Sequence, residues 1–105
     1  MGESYGTITT DELQEQLEKG LPEDTIIIDV REDEEVETGM IPGAKHIRLG
    51  TLPERFEELD RDKTYVMVCR SGRRSEKASE FLAEQGFKVI NMEGGMLKWR
   101  GAIEA

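Results

Sequence analysis

The chain has 105 residues, of which 36% are hydrophobic and 35% are charged, and its net charge is −9. This length fits one domain, and the compact runs of apolar residues exclude a disordered chain. The negative charge disfavours nucleic acid and anionic membranes as partners. We therefore expect a single domain over residues 1–105, with its core at about 7–100 and no nucleic-acid or membrane partner.

The beginning of the chain, Met1 to Gly6, has no basic region and no apolar stretch, so we expect no signal peptide. No segment approaches the roughly 20 apolar residues of a membrane span. Cys69 is the only cysteine, which precludes an intramolecular disulfide and fits a reducing compartment. These features predict a cytoplasmic protein.

Strands and helices alternate in the first half of the sequence. The pattern predicts a short strand at residues 7–8, a helix at 11–19 capped by Thr10, a strand at 25–30, a short acidic helix at 32–38 and a strand at 45–49. The run at 25–30 is almost continuously β-branched, which is typical of a strand that is buried on both faces.

The alternation continues in the second half. The pattern predicts a helix at residues 52–59, a strand at 65–68, a loop at 69–74, a helix at 75–85 with Ser75 near its N-cap, a strand at 87–92 and a helical turn at 96–99. Such alternation predicts a parallel sheet covered by helices on both faces. In these sheets the ligand site lies beyond the carboxyl ends of the strands, where Cys69 is expected.

The loop after the second long strand reads Cys69-Arg70-Ser71-Gly72-Arg73-Arg74-Ser75. A glycine-containing loop that leads into a helix can direct backbone N–H groups at an anion, and the helix N-terminus adds partial positive charge. Both favour the thiolate of Cys69, the reactive form of cysteine. Three arginines within five positions provide a local positive field and bidentate donors for an oxyanion.

A lone cysteine after a strand is more often a small buried hydrophobic residue than a nucleophile. The arginine-rich and glycine-containing loop shifts the balance here, so we predict that Cys69 is catalytic. The same reasoning makes the rest of the loop the predicted substrate-binding residues: Arg70, Ser71, Gly72, Arg73, Arg74 and Ser75.

This loop resembles the Cys-Arg-Ser-Gly-Asn-Arg-Ser loop of the rhodanese-homology domain, with Arg73 in place of the asparagine. Three further motifs resemble the family in the expected order. They are Asp29-Val30-Arg31-Glu32, then Gly39-Met40-Ile41-Pro42-Gly43-Ala44, in which Met40 replaces a histidine, and Gly94-Gly95 followed by Trp99. The resemblance implies a rhodanese-like three-layer α/β sandwich with a central five-stranded parallel sheet.

The resemblance also implies sulfur transfer through a persulfide on Cys69, from thiosulfate or a similar small anionic donor to a thiol, to cyanide or to a protein sulfur acceptor. It implies no cofactor and no metal, and we expect a monomer or weak homodimer. A second hypothesis is a catalytically weak sulfur carrier or protein-binding module. A phosphatase or arsenate reductase is a third, disfavoured because Cys69 and Arg74 have Cys-x4-Arg spacing, whereas related phosphatases use Cys-x5-Arg.

Several charged and aromatic residues have structural interpretations that we prefer. We expect His46 to be structural, Asp29 and Arg31 to fix their loop through ionic hydrogen bonds, and Trp99 to pack in the core. The acidic run is predicted to be a solvated helix face; it comprises Glu32, Asp33, Glu34, Glu35 and Glu37.

Overall fold

The computed structural model describes residues 5–105. Residues 1–4, part of the segment expected to carry no signal peptide, lie outside the described residues. The strands are β1 (Gly6–Ile8), β2 (Thr25–Asp29), β3 (Lys45–His46), β4 (Thr64–Val68) and β5 (Lys88–Met92). The helices are α1 (Thr10–Lys19), α2 (Asp33–Val36), α3 (Leu52–Arg55) and α4 (Arg73–Glu84), with 3₁₀ turns at Leu49–Thr51, Phe56–Glu58 and Met96–Lys98.

The five strands form one parallel sheet in the order β1-β5-β4-β2-β3. Helices cover both faces, which confirms the predicted α/β fold. On one face Met67 and Cys69 pack with Ala78 and Leu82 of α4. On the other face Val66 and Val68 pack with Leu13 of α1 and with Trp99. Alternate residues of β4 thus enter opposite core layers, which explains its unbroken apolar sequence.

The sheet brings the ends of β2, β4 and β5 to one edge. Asp29 is paired in register with Val68, and Met67 with Asn91. The segments after these three strands begin at Val30, Cys69 and Glu93, so they share one edge of the sheet. No helix within residues 5–105 is long and apolar enough to cross a bilayer.

The N-terminal cap of α1 is Thr9, and the prediction of Thr10 was wrong by one residue. The Thr9 hydroxyl accepts from the backbone N–H of Glu12, and the Glu12 carboxylate accepts from the N–H of Thr9. Thr10 is instead the first helical residue, and its hydroxyl donates to the carbonyl of Lys98. The reciprocal capping box with Glu12 decides between the two threonines.

Three elements are shorter than the pattern predicts by more than one residue. Helix α2 stops at Val36 because the N–H groups of Thr38 and Gly39 bond three residues back, which tightens the chain into turns. Strand β3 has two residues, although the N–H groups of Ile47 and Leu49 still bond the carbonyls of Asp29 and Val30. The helix expected at residues 52–59 changes from α-helix to 3₁₀ geometry after Arg55.

Candidate active site

Cys69 follows β4 directly and is fully buried. Its Sγ accepts a hydrogen bond from the backbone N–H of Gly72 at 3.0 Å. The thiol lies 3.4 Å from the hydroxyl oxygen of Ser75, and the Ser75 hydroxyl donates to the carbonyl of Gly72 at 3.1 Å. The sulfur therefore accepts from one backbone N–H, a kind of donor that stabilises a thiolate, while the thiol donates to the Ser75 hydroxyl oxygen.

A glycine at position 72 permits the backbone conformation in which this N–H points at the sulfur, because the residue has no side chain. Its φ is +100°, and a Cβ there would lie 3.1 Å from the backbone nitrogen of Gly94. Helix α4 begins at the next residue, Arg73, with Gly72 as its N-cap. The prediction that the helix starts at Ser75 was wrong by two residues, and Ser75 is a buried residue of the first turn. Arg73 and Arg74 therefore belong to the helix, and the loop proper is residues 69–72.

The segment after β5 supports the loop from behind. The N–H of Met96 bonds the carbonyl of Cys69 at 2.8 Å, and the N–H of Leu97 bonds the carbonyl of Arg70 at 3.0 Å. Between them and β5 lies Gly95, whose φ is +64°. A Cβ on Gly95 would overlap the carbonyl of Arg70 and stand 2.7 Å from that of Cys69. The Gly94-Gly95 motif is thus required by the close approach of two backbones.

The three arginines predicted to lie in the loop have different environments. Arg70 and Arg73 are exposed, and neither makes an ion pair within residues 5–105. Arg74 donates to both carboxylate oxygens of Glu35, at 2.7 and 2.8 Å. The hydrogen bond from Arg74 lowers the pKa of Glu35 to about 2, and the same bond raises the pKa of Arg74. Arg74 therefore links α4 to α2, and its guanidinium is already engaged.

The acidic run is consequently not a uniform solvated face. Glu35 is only 25% exposed and faces Arg74, whereas Glu34 and Glu37 are exposed. Sequence reasoning missed Glu35, because the run offers five carboxylates and only the fold selects one. The available signal was its place at N3 of α2, where its carboxylate also accepts from the N–H of Glu32.

Asp29 and Arg31 fix their loop as predicted. The Arg31 guanidinium donates to both Asp29 oxygens at 2.8–3.0 Å and to the carbonyl of Gly39 at 2.8 Å. Both side chains are buried. His46 donates from Nε2 to the carbonyl of Arg31 at 2.7 Å, in keeping with a structural role. Within residues 5–105, no group of three His, Cys, Asp or Glu side chains is placed to hold a metal ion.

A cleft of about 530 Å³ adjoins the Cys69 loop at Arg70. Its walls come from three places: the end of β2 with α2, the loop itself, and the C-terminal segment. The lining residues include Arg31, Glu34, Glu35, Arg70, Leu97, Trp99, Arg100 and Ile103. Cys69 is not among them, so the cleft is adjacent to the sulfur. Trp99 packs against the core as predicted and also forms part of this wall.

The C-terminal segment is held over the site by an antiparallel bridge. Met40 and Glu104 exchange backbone hydrogen bonds of 2.8 Å in both directions. Gly39 lies under Ile103, whose side chain occupies the space that a Cβ would need. Met40 thus anchors this segment through its backbone, a function that does not depend on its side chain.

Comparisons with known proteins agree with this fold. The “Rhodanese-like domain” family matches residues 9–102. The “Putative sulfurtransferase YtwF” of Bacillus subtilis is 55% identical over 90% of this chain and 89% of its own length. A crystal structure of a rhodanese-like domain protein from Staphylococcus aureus superposes with a TM-score of 0.86 at 40% identity, covering 94% of this chain and 96% of that one.

A third relative, the “Putative sulfur carrier protein YrkF” of Bacillus subtilis, is 48% identical over 74% of this chain and 43% of its own length. The family match at residues 9–102 includes the Cys69 loop and β4, the strand that precedes it. The chain belongs to the rhodanese-like domain family.

Proposed function

We propose that this protein is a sulfurtransferase that carries a sulfane sulfur as a persulfide on Cys69. The observation that carries the proposal is the hydrogen bond of 3.0 Å from the Gly72 N–H to the Cys69 sulfur, at the N-terminus of α4. This geometry favours the thiolate form of Cys69, which attacks the donor. The names of the relatives YtwF and YrkF point to sulfur chemistry of the same kind.

With thiosulfate as donor, the Cys69 thiolate attacks the outer sulfur. A bond forms between Sγ and that sulfur, the sulfur–sulfur bond of thiosulfate breaks, and sulfite leaves with the electron pair. Arg70 and Arg73, which are exposed at the loop, attract the dianion and stabilise the departing sulfite. Arg74 was expected to take part in the same way, but its pairing with Glu35 favours a positioning role.

Transfer to an acceptor completes a ping-pong cycle. The described residues include one cysteine, so no second thiol of the chain resolves the persulfide. The persulfide therefore persists until an external acceptor arrives. We propose a small anionic sulfur donor and a thiol, cyanide or protein acceptor, with catalysis requiring no cofactor. We also retain the prediction of a cytoplasmic protein.

The function is tested by the mass of the intact protein. Thiosulfate is expected to add one sulfur, about 32 Da, and dithiothreitol to remove it by thiol exchange. Cys69→Ser is expected to lose both the adduct and thiosulfate–cyanide activity while keeping its circular dichroism spectrum. Activity that persists in Cys69→Ser would contradict the proposed nucleophile.

A sulfur carrier is the second candidate, favoured by the name of the relative YrkF. A carrier would form the same adduct but discharge it to cyanide in a single turnover, with little steady-state rate. Parallel double-reciprocal lines for thiosulfate and cyanide at multiple turnovers would favour the enzyme. Phosphatase chemistry is disfavoured because Arg74 is committed to Glu35; hydrolysis of p-nitrophenyl phosphate that depends on Cys69 would reverse this conclusion.

A further inference from the structure

The cleft beside the Cys69 loop contains the two large hydrophobic side chains that are markedly exposed within residues 5–105. Leu97 is 62% exposed and Ile103 is 52% exposed, and both line this cleft. Single exposed apolar residues need no explanation, but two that face one concavity form a surface suited to binding. The apolar wall therefore indicates a ligand with a hydrocarbon portion.

The charges of the cleft indicate an anion. Arg31 is neutralised by Asp29, and Glu35 by Arg74. Two lining cations, Arg70 and Arg100, then stand against one lining carboxylate, Glu34. In a protein of net charge −9 this local surplus of positive charge is unusual, and it favours an anionic group at the cleft.

The cleft adjoins the loop that carries Cys69, because its wall is hydrogen-bonded to the backbone of that loop. Leu97 bonds the carbonyl of Arg70, and Met96 bonds that of Cys69. A molecule lying on Leu97 is thus held beside the loop that carries the persulfide. The volume of about 530 Å³ falls within the roughly 300–1,000 Å³ typical of small-molecule sites.

We propose that this cleft is the acceptor site, and that it takes a small aliphatic thiol bearing a carboxylate. The inference rests on the function proposed above. The hydrocarbon chain packs against Leu97 and Ile103, the carboxylate pairs with Arg100, and the thiol approaches Cys69 past Arg70. A sulfur-acceptor preference for anionic thiols follows, despite the negative charge of the protein as a whole.

The transfer step balances without an oxidant or reductant. The acceptor thiolate attacks the outer sulfur of the Cys69 persulfide, and a new sulfur–sulfur bond forms on the acceptor. The bond from Sγ to the outer sulfur breaks, and its electron pair returns to Cys69 as thiolate. The proton that the acceptor thiol releases is taken up by the outer sulfur, so the acceptor leaves as a persulfide.

The test uses two thiols of equal length, 6-mercaptohexanoate and 6-mercaptohexan-1-ol. In both, the terminal group is far from the thiol, so the thiols have similar reactivity. Protein first loaded with thiosulfate and freed of excess donor is mixed with each thiol, and loss of the sulfur mass is followed in time. We expect the carboxylate to discharge the protein about fivefold faster at subsaturating concentration.

Charge variants test whether the preference for the carboxylate-bearing thiol arises at the cleft. Arg100→Gln is expected to bring the ratio of the two rates close to one, and Glu34→Gln to raise it. Lys88→Gln removes the same charge as Arg100→Gln at the start of β5, the opposite end of the sheet, and is expected to keep the wild-type ratio. All three positions are exposed, so we expect these substitutions to leave the fold intact.

The outcomes separate this inference from the proposed function. Absence of the sulfur adduct would refute the function itself. A normal adduct that both thiols discharge at equal rates would leave the function standing and overturn the acceptor site. An equal loss of preference in Lys88→Gln and Arg100→Gln would also overturn it, because the effect would then come from net charge. Inhibition of the discharge by hexanoate in wild type, and its weakening in Arg100→Gln, would support it.

Discussion

Arg74 shows how one residue can satisfy a sequence motif and yet do something the motif does not state. It follows Cys69 at the expected spacing, but its guanidinium lies on the Glu35 carboxylate with bidentate geometry. Bidentate pairs between a guanidinium and a carboxylate are the most specific ionic contacts available to arginine. The pair joins the first turn of α4, which adjoins the Cys69 loop, to α2. Its contribution is therefore to the stability and position of the loop.

Replacing Glu35 is expected to make the protein less stable in a pH-dependent way. The folded pKa of Glu35 is about 2, below its ordinary value of 4.5. Its stabilisation is thus complete above about pH 4.5 and is lost as the pH falls towards 2. Because the side chains of Glu35 and Arg74 are 25% and 32% exposed, we discount the full shift and expect Glu35→Gln to cost about 1–2 kcal/mol at pH 7.

Urea denaturation at several pH values measures this effect. The difference between wild type and Glu35→Gln is expected to shrink between pH 5 and pH 2.5. Glu37→Gln is the matched control, because Glu37 adjoins the same helix, is exposed and makes no ion pair in the described residues. A cost that is constant over this range, or equal in both variants, would contradict the role assigned to the pair.

At the scale of elements, the conformation of the Cys69 loop depends on residues 94–97, which pack against it. Residues 94–97 cover the backbone of Cys69 and Arg70 with two hydrogen bonds. The contact is close because Gly95 has no side chain and adopts a positive φ that other residues avoid. Two elements far apart in sequence thereby shape one site.

Gly95→Ala is expected to damage both the fold and sulfur loading. The added methyl overlaps the Arg70 carbonyl, which is backbone and cannot move aside as a side chain would. We expect a loss of about 2–4 kcal/mol in the free energy of unfolding, since overpacking and a positive φ both act against the variant. The measurements are urea denaturation and the fraction of protein that gains a sulfur from thiosulfate.

Gly50→Ala is the control for this substitution. A Cβ at Gly50 meets nothing within 4 Å, and its φ is not positive. We expect stability within about 1 kcal/mol of wild type and normal loading, because alanine restricts only the unfolded chain at such a site. If Gly95→Ala behaved like Gly50→Ala, the backbone contact would not be needed to shape the loop.

The sequence predicts the order of strands and helices and the position of Cys69, because these follow from apolar runs and a contiguous motif. It does not predict the partner of Arg74 or the cleft wall, because those depend on which distant segments the fold brings together. Glu35 is one of five carboxylates in a short run, and Leu97 reads as an ordinary apolar residue. Helix ends were also missed, since a glycine replaced the expected serine as the cap of α4.

At the scale of the whole molecule, the charge opposes the proposed substrate. The net charge of −9 repels a thiosulfate dianion at long range, whereas Arg70 and Arg73 attract it near the loop. Salt screens interactions beyond about 10 Å at 0.1 M and affects closer ones less. The two contributions can therefore be separated by ionic strength.

We expect the variant Arg70→Gln/Arg73→Gln to have a kcat/KM for thiosulfate at least about tenfold below wild type at low salt. Its kcat/KM should then rise as sodium chloride is increased from 10 to 200 mM, because only the repulsion remains to be screened. Wild type should show a smaller rise or a fall. Steady-state assays with cyanide measure how kcat/KM for thiosulfate changes with sodium chloride in both proteins. An identical salt dependence would show that the two arginines do not steer the donor.

The complete burial of Cys69 restricts which reagents can contact its sulfur. A sulfur–sulfur bond is about 2 Å long, so the outer sulfur of the proposed persulfide would stand that far from Sγ, which solvent does not touch. On the proposed function, we expect reagents too broad to reach Sγ to reach this outer sulfur. Bulky thiols and electrophiles should therefore react more slowly with the free thiol of Cys69 than with its persulfide. Access of an acceptor to the site would thus depend on whether Cys69 carries a sulfur to transfer.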